Sequence, residues 1–332
     1  MPRKSLSQLV GAGAFASAAT LATVLAVPLS GVSAEPYPSR PITVISPLGP
    51  GTPQDVIIRT MAEIVAKDLG QPVIVENRAG AAATLGPAAM AATAKPDGYT
   101  VTAIVSTLVL VPLMQKVAYD PFKDFTYILQ VASFPLGVTV KSDSPYKSWA
   151  DVVAYAKANP GVVTYGTPGA GTNAHLGIEL ILQHAGVQMT HIPHQGPMSI
   201  ITAVLGGHVM LQVSGMEWKP YVDDGRMRLL TMLTAKRHPR FPNVPSITEL
   251  GSPFDIEVPM GFAGPKGMDP AVVRKLHDAF KKASEDPAMQ ALYPRFDIDY
   301  RYANGDEFRK SLDTIAARMR PVIERLGLLA KS

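Results

Sequence analysis

Cysteine is absent from this chain of 332 residues, and aromatic residues make up only 7% of it. The absence of cysteine excludes disulfides. It also excludes a lipid attached through cysteine, so if the chain is exported we expect a soluble protein. The formal net charge is +4, and no run of Lys or Arg occurs. A chain of this composition has no basic field for nucleic acid, so we predict no nucleic-acid partner.

The motifs of several enzyme classes are also missing. Neither a G-K-[ST] phosphate loop nor a G-x-S-x-G nucleophile elbow occurs. Gly166, Gly169 and Gly171 are spaced G-x-x-G-x-G, and no acidic residue lies between Glu179 and Glu217 to hold a ribose. This pattern argues against a bound dinucleotide, and no cofactor is predicted.

Two histidines, His191 and His194, have a spacing that can hold a metal ion. No cysteine and no nearby carboxylate completes a set of ligands. We therefore predict no metal site, and we interpret one histidine as a strand residue and the other as lining a cleft.

Residues 1–34 have the pattern of an export signal. Arg3 and Lys4 precede an uncharged stretch rich in Ala, Leu, Val and Thr, which ends in Val-Ser-Ala at 32–34. This is typical of a secretory signal peptide, so we predict cleavage after Ala34 and a periplasmic location. The alternative is an N-terminal membrane anchor, because the stretch is long enough to span a bilayer.

Two stretches combine the end of a strand, a glycine loop and the start of a helix. Residues 163–175 read VTYGTPGAGTNAH, with Thr172 or Asn173 at the expected N-cap position. Residues 46–55 read SPLGPGTPQD and precede an amphipathic helix. Such loops expose backbone N–H groups at the positive end of a helix dipole, and they favour an anion, either a phosphate or a carboxylate.

Hydrophobic periodicity predicts that strands and helices alternate through most of the chain. A strand is predicted over 42–45, a helix over 55–69 and a strand over 100–105. This order favours an α/β fold with mainly parallel sheets flanked by helices. The end of the chain differs, with long helices predicted over 270–285 and 305–327. The length after cleavage exceeds what one hydrophobic core usually holds, so we predict two domains.

Eight segments of the chain form a recognisable series. They are YPSRPITVISPLGPGTPQD (37–55), LGQPVIVENRAGA (69–81), KPDGYT (95–100), YDPFKDF (119–125), VTYGTPGAGTNAHLGIEL (163–180), HIPHQGPMSIITAVLGGHV (191–209), AKRHPRFPNVPSITELG (235–251) and GPKGMDPAVVRKLHDAF (264–280). In this order the chain resembles the periplasmic solute receptors of tripartite tricarboxylate transporters, also called the Bug family.

The resemblance implies a two-domain type II periplasmic binding protein fold, with a hinge and an interdomain cleft that closes over a ligand. It also implies that the two glycine loops hold the carboxylate of an organic acid, partly through ordered water. The candidate ligand-binding residues are Pro47, Leu48, Gly51, Thr52, Gln54, Asp55, Gly169, Gly171, Thr172, Asn173, His175 and His194. We expect Asp55 to cap its helix rather than to contact an anion, which it would repel, and His175 to support its loop.

Three departures from the family pattern bear on the ligand. Thr52 replaces a glycine of the first loop, where it can donate a hydroxyl or narrow the pocket, and Pro53 stiffens the turn. His194 and Gln195 replace an aromatic residue and a cation. Met210 replaces an acid that could hold an amino group, so we predict a carboxylate with a neutral or apolar body.

The sequence therefore predicts a periplasmic receptor, not an enzyme, which acts as a monomer and delivers a small organic carboxylate to the membrane components of a tripartite tricarboxylate transporter. Residues 35–137 with 260–332 are predicted to form domain 1, and residues 138–259 domain 2. Two alternatives stay open. One is an exported enzyme acting on a carboxylic acid, with His175 or His194 as its general acid or base. The other is a sensory solute receptor that is not coupled to transport.

Overall fold

The structure, a computed structural model, describes residues 37–330. The predicted signal peptide and its cleavage site after Ala34 lie outside these residues. Within the described range, no helix combines the length and the apolar character needed to cross a membrane.

The described residues form two β-sheets. In chain order their strands are β1 Ile42–Ser46, β2 Val73–Asn77, β3 Thr100–Val105, β4 Phe125–Ser133, β5 Gly137–Lys141, β6 Thr164–Thr167, β7 Thr190–Pro193, β8 Leu211–Ser214, β9 Met227–Met232, β10 Pro259–Pro265 and β11 Asp299–Asn304. The first sheet has the strand order β11-β4-β10-β3-β1-β2, and the second has the order β7-β6-β8-β5-β9.

Helices flank these sheets. In chain order they are α1 Pro53–Leu69, α2 Leu85–Thr93, α3 Thr107–Met114, α4 Trp149–Ala158, α5 Asn173–Ala185, α6 Pro197–Leu205, α7 Lys219–Asp223, α8 Pro270–Ser284, α9 Pro287–Arg295 and α10 Gly305–Arg325. The two long helices predicted near the end of the chain are confirmed as α8 and α10. Helix α1 begins two residues earlier than predicted, because Thr52 is its N-cap and proline is well tolerated in the first turn.

Both sheets are mixed, which corrects the expectation of mainly parallel sheets. Strand β1 pairs in parallel with β2 and β3, and β6 does so with β7 and β8. Strand β10 is antiparallel to β3 and β4, β11 to β4, and β5 to β8 and β9. Parallel neighbours need a crossover, usually a helix. Strands β5 and β10, in contrast, each follow a connection from the other sheet, and both run antiparallel to their two neighbours.

Two neighbouring segments connect the sheets. Residues 134–136 lead from β4 to β5, and a longer segment leads from β9 back to β10. The Phe134 N–H donates to the carbonyl oxygen of Val258 at 3.0 Å, and the Leu233 N–H donates to that of Leu136 at 2.8 Å. The two connections are therefore hydrogen-bonded to each other.

Helix α10 packs on elements of both sheets through the apolar face that its sequence predicts. The buried residues of this face are Phe308, Leu312, Ile315, Met319, Val322 and Ile323. Phe308 contacts Tyr127 of β4 edge-on, with ring centroids 5.6 Å apart. At the other end of α10, Arg325 donates to Glu179 of α5 at 2.8 Å. These residues are therefore part of the hydrophobic core.

Candidate functional site

The carboxyl ends of strands from both sheets lie beside the short connection between them. Ser133 at the end of β4 pairs with Pro259, and Ser214 at the end of β8 pairs with Gly137. Residues 134–136 join these two edges directly. In open α/β sheets a ligand binds outside the carboxyl ends of the strands, so the loops that follow β1, β6 and β8 are the ones placed to form a site.

The first glycine loop connects β1 to α1 and is closed by its own side chains. The Thr52 hydroxyl donates to the carbonyl oxygen of Gly49 at 3.0 Å and accepts from the Asp55 N–H at 3.3 Å. Gly51 has a φ of +77°, which glycine adopts without strain, and its N–H donates to Asp55 Oδ2 at 2.9 Å. Asp55 therefore caps the helix and orders the loop.

Asp55 is only 1% exposed and lies at the centre of a polar network. Its carboxylate accepts from Arg59 Nε at 2.9 Å and from Asn77 Nδ2 at 2.6 Å. The same Asn77 amide donates to the carbonyl oxygen of Leu48 at 2.9 Å. Burial alone would raise the pKa of Asp55, but the donors Arg59, Gly51 and Asn77 outweigh it and hold the pKa below its ordinary value. The carboxylate is therefore ionised and fully engaged.

The second glycine loop, between β6 and α5, has the same internal hydrogen bonds. The Thr172 hydroxyl donates to the carbonyl oxygen of Gly169 at 2.9 Å and accepts from the His175 N–H at 3.3 Å. Gly171 has a φ of +74°, and its N–H donates to His175 Nδ1 at 3.0 Å. His175 thus takes the place that Asp55 has in the first loop, with a neutral acceptor in place of an anion.

The loops differ in the backbone donors that they leave free. The single hydroxyl proton of Thr52 and of Thr172 is used inside its own loop. The first N–H groups of a helix have no acceptor within it, so Asn173 and Ala174 each leave a donor at the start of α5. The corresponding first residue of α1 is Pro53, which has no N–H. Donation from Thr172 and Asn173 to a ligand stays a prediction.

His175 and His191 stack against each other, with ring centroids 3.7 Å apart and planes 14° apart. Nε2 of His191 lies 2.8 Å from the Thr167 hydroxyl. Burial lowers the pKa of His175, and burial together with the neighbouring His175 lowers the pKa of His191 to about 4. Both rings are therefore neutral at neutral pH, and Nδ1 of His175, which accepts from the loop, is the unprotonated nitrogen.

His194 lies apart from this stack. A Cβ added at Gly166 would approach its Nε2 to 3.4 Å, so the ring packs on the backbone of β6. This Nε2 is buried and makes no hydrogen bond. Among residues 37–330 there is no group of three or more His, Cys, Asp or Glu side chains that could hold a metal ion.

The second loop lies against both ends of α3, through Ser106, which precedes the helix, and Met114, its last residue. The Ser106 hydroxyl donates to Asn173 Oδ1 at 3.0 Å. A Cβ added at Gly171 would come within 2.6 Å of Met114 Sδ. A chain segment from the first sheet thus contacts the loop that follows β6 of the second sheet.

A cavity of about 320 Å³ lies at the junction of the two sheets. Its walls come from the start of α1, the connection at 134–136, the turn after β8 and the corner between α9 and β11. Of the predicted site residues, Gln54 lines this cavity, whereas the second loop is not part of its wall. The structure thus places the first loop, but not the second, at the cavity.

Residues 57–328 match the tripartite tricarboxylate transporter family receptor, TctC. The chain belongs to this family. The family assignment made from the eight sequence segments is therefore confirmed, and both family and fold are those of solute-binding receptors.

Curated relatives of this receptor extend over nearly the whole chain. The UPF0065 protein in the gbd 5′ region of Cupriavidus necator is 41% identical over 312 residues, which cover 94% of this chain and 95% of the relative. Protein BugT of Bordetella pertussis is 31% identical over 305 residues, which cover 90% and 93%.

Solved structures similar to the receptor include a TctC solute-binding protein from Polaromonas, with a TM-score of 0.77, 29% identity and coverage of 87% of this chain and 99% of that one. The periplasmic binding protein BugD has a TM-score of 0.72, 25% identity and coverage of 89% and 100%. MatC from Rhodopseudomonas palustris, solved with bound malate, has a TM-score of 0.70, 25% identity and coverage of 86% and 100%. The receptor therefore has the predicted two-domain periplasmic binding protein fold.

The cavity of the receptor is lined by a carboxylate that no sequence pattern had indicated. Glu217 follows β8 and lines the concave wall of the cavity, where it is exposed to solvent. Partial burial by this wall raises the pKa of Glu217, although hydrogen bonds from its own N–H and from Ser214 oppose the shift. The one available signal was its position as the first acidic residue after the long uncharged stretch that begins beyond Glu179.

The same cavity is lined by an ion pair between residues far apart in the sequence. Lys219 at the start of α7 donates to Asp297 Oδ2 at 2.5 Å, and both side chains are largely buried. Arg240 Nε lies 3.9 Å from the other carboxylate oxygen of Asp297. A second cation, Arg295, also lines the cavity and is exposed. No sequence pattern indicated that these residues meet.

Proposed function

We propose that this receptor binds a small organic carboxylate in a cleft between two domains in the periplasm and delivers it to the membrane components of a tripartite tricarboxylate transporter. The observation that carries this proposal is the cavity at the carboxyl ends of both sheets, with Gln54 and the start of α1 in its wall. A helix N-terminus is a favourable place for an anion. The relative MatC, which was solved with malate, gives this ligand class further support.

The proposed domain 1 comprises residues 35–137 and 260–332, and the proposed domain 2 comprises residues 138–259. Every strand of the first sheet lies within 42–133 or 259–304, and every strand of the second lies within 137–232, which supports this division. The connection at 134–136 is then a hinge segment. We also propose that the receptor is exported by cleavage after Ala34 and acts as a monomer.

Ligand binding is proposed to use both glycine loops when the domains close. The residues concerned are those of the sequence prediction, Pro47 to Asp55 in the first loop and Gly169 to His175 in the second, together with His194. A ligand that contacts both loops only in the closed state shifts the population toward closure. Backbone N–H groups donating to a carboxylate form charge-assisted hydrogen bonds, which are stronger than neutral ones.

The first prediction is that small carboxylates stabilise the receptor against heat. We expect mono- or dicarboxylates to raise the midpoint of thermal unfolding of the purified exported protein. A ligand at 100 times its dissociation constant adds about 2.7 kcal/mol to the free energy of unfolding. The matching uncharged diamides serve as controls, because they keep the shape of the acid without its charge. Stabilisation by the uncharged compounds but by no carboxylate would contradict the proposed function.

A second prediction concerns the backbone donors of the second loop. Asn173→Pro copies the Thr52-Pro53 order of the first loop and removes one N–H at the start of α5. The extended ψ of 162° at Thr172 accommodates a following proline, and proline is favoured at the first helical position. We expect the affinity for the carboxylate to fall by about tenfold or more, since a hydrogen bond to a charged group contributes about 1.5–3 kcal/mol.

The matched control for this variant is Asn173→Ala. Both substitutions remove the side chain and its hydrogen bond from Ser106, but only proline removes the backbone donor. Isothermal titration of both variants therefore isolates the contribution of the backbone N–H to the affinity for the carboxylate. Equal affinities of Asn173→Pro and Asn173→Ala would show that this N–H does not contact the ligand.

A further inference from the structure

Glu217 brings a carboxylate to the wall of the proposed ligand cavity, and its role as inferred below rests on the proposed function. The residue lies in a single 3₁₀ turn, Met216–Trp218, directly after β8. Trp218 in this turn is fully buried and anchors it in the core. Glu217 itself is exposed and lines the cavity. The turn therefore presents the carboxylate from a fixed position.

The Glu217 carboxylate keeps much of its hydrogen-bonding capacity. The carboxylate accepts from the N–H of Glu217 itself. Ser214 Oγ lies 3.4 Å from Oε2, but its single proton is shared with the carbonyl oxygen of Gly215 at 3.1 Å. A carboxylate can accept about four hydrogen bonds. Glu217 is therefore able to accept from a donor on a bound ligand.

Two cations, Lys219 and Arg295, line the cavity with Glu217, and each has a contact of its own. Lys219 is paired with Asp297, and Arg295 extends from the end of α9, where its guanidinium lies 5.7 Å from the ring centroid of Phe296. Neither of these contacts involves Glu217. A cavity of about 320 Å³ is only about 8 Å across if roughly spherical, a distance over which like charges still repel measurably.

We propose that Glu217 selects the ligand: the cavity accepts a carboxylate whose far end carries a hydrogen-bond donor, such as an amide, a hydroxyl or an ammonium group, and it disfavours a second carboxylate at that end. Because Pro53 has no N–H, the Gln54 N–H is the first backbone donor at the start of α1, and it suits the single anionic group of such a ligand. Glu217 accepts from its far end. A dicarboxylate of the same length brings a second negative charge against this side chain.

This selection differs from the expectation drawn from Met210, which concerned the loss of an acid at another position. Met210 precedes β8, whereas Glu217 follows it. The end of this strand that reaches the cavity is thus followed by an acidic residue, whereas its other end is preceded by Met210. An ammonium or amide donor on the ligand therefore has an acceptor in this receptor.

The test compares dicarboxylates with their monoamides, which differ only in the far group. Isothermal titration of the full exported protein with succinate and succinamate, and with glutarate and glutaramate, gives the ratio of the two affinities. We expect the wild type to bind one of the monoamides at least tenfold more tightly than the matching diacid. In Glu217→Gln, we expect this ratio to fall by tenfold or more, mainly because the diacid gains affinity.

Two further variants control for effects other than the charge at this position. Glu217→Asp keeps the charge on a shorter side chain, and we expect it to keep the preference for the monoamide. Glu257→Gln removes a different carboxyl group whose pKa burial also raises, outside the wall of this cavity, and we expect an unchanged ratio. Thermal unfolding without ligand confirms that each variant is folded.

The outcomes separate this inference from the proposed function. A wild type that binds both classes with a ratio unaffected by Glu217→Gln overturns the role of Glu217 and leaves the carboxylate receptor intact. A wild type that prefers the diacids also overturns it. A wild type that neither these compounds nor any carboxylate stabilises contradicts the proposed function, and with it the selection by Glu217.

Discussion

Replacing Asp55 by Asn is expected to lower the free energy of unfolding by about 2–4 kcal/mol, because one hydrogen bond to the buried side chain is reversed and the others lose their charged acceptor. Asp55 accepts from the Gly51 N–H, from Arg59 and from Asn77. An Asn side chain has one acceptor and one donor end, so one of these donors would face an N–H group. Urea unfolding at neutral pH measures the difference. The loop that Asp55 orders should then also bind a carboxylate more weakly.

Asp151 is the matched control for this substitution. It occupies the same third position of a helix, α4, and accepts from the backbone of its own N-cap, Ser148, and of Lys147. Its side chain is exposed, so the donors it would leave behind can bond to water. We expect Asp151→Asn to cost only about 0.5–1 kcal/mol, the usual contribution of an exposed helix cap. Equal losses for the two variants would show that the buried network contributes nothing beyond capping.

The effect of Asp55→Asn also depends on pH in a definite direction. The pKa of Asp55 in the folded protein is below its ordinary value of 3.8. A carboxylate with a lowered pKa on folding contributes its stabilisation fully above the ordinary pKa, and the contribution is lost as the pH falls through the folded value. We therefore expect the gap between wild type and Asp55→Asn to be constant above about pH 5 and to shrink below about pH 4.

The parts of the site that could be predicted from sequence are those built from local hydrogen bonds. Thr52 and Thr172 each cap a helix three residues before the N–H that they accept, so a pattern a few residues long contains the whole motif. The glycines beside them supply the positive φ that the turn requires. The capping box at the start of α4, formed by Ser148 and Asp151, is a pattern of the same local kind. Such motifs need no knowledge of the rest of the chain.

The elements that were missed depend on distant partners. Helix α3, Thr107–Met114, is apolar on nearly every side and contains Pro112, so it has no amphipathic period to identify it. The antiparallel pairing of β10 depends on the return of the chain from the second sheet. The cavity likewise joins Gln54 to Glu217 and Asp297, residues that no spacing relates. Family resemblance predicted the fold and the ligand class, but the wall of the cavity required coordinates.

Breaking the ion pair between Lys219 and Asp297 is expected to lower the free energy of unfolding by a similarly large amount. Whether the affinity for the ligand then rises or falls should depend on which partner is removed. Their side chains are only 18% and 8% exposed, and the nitrogen and oxygen lie 2.5 Å apart. Removing one partner of a buried pair typically costs about 3–5 kcal/mol, because the other charge is left uncompensated. We expect Lys219→Met and Asp297→Asn each to destabilise the fold by about this amount, with partial relief for Asp297 from Arg240.

The double variant and an exposed pair provide the controls. Lys219→Met combined with Asp297→Asn leaves no unpaired charge, so we expect it to be more stable than the sum of the single losses predicts. Lys266→Met breaks an exposed contact with Asp124 and should cost less than about 1 kcal/mol. Additive losses in the double variant would contradict a coupled pair.

The two single variants should act in opposite directions on ligand affinity, although both destabilise the fold. Both residues line the cavity. Asp297→Asn frees the Lys219 ammonium to face a bound carboxylate, whereas Lys219→Met leaves the Asp297 carboxylate to repel it. Isothermal titration should therefore find the carboxylate bound more tightly by Asp297→Asn than by wild type, and more weakly by Lys219→Met. Since a general loosening of the fold would weaken binding in both variants, opposite signs can arise only from the charge that each substitution leaves at the cavity wall.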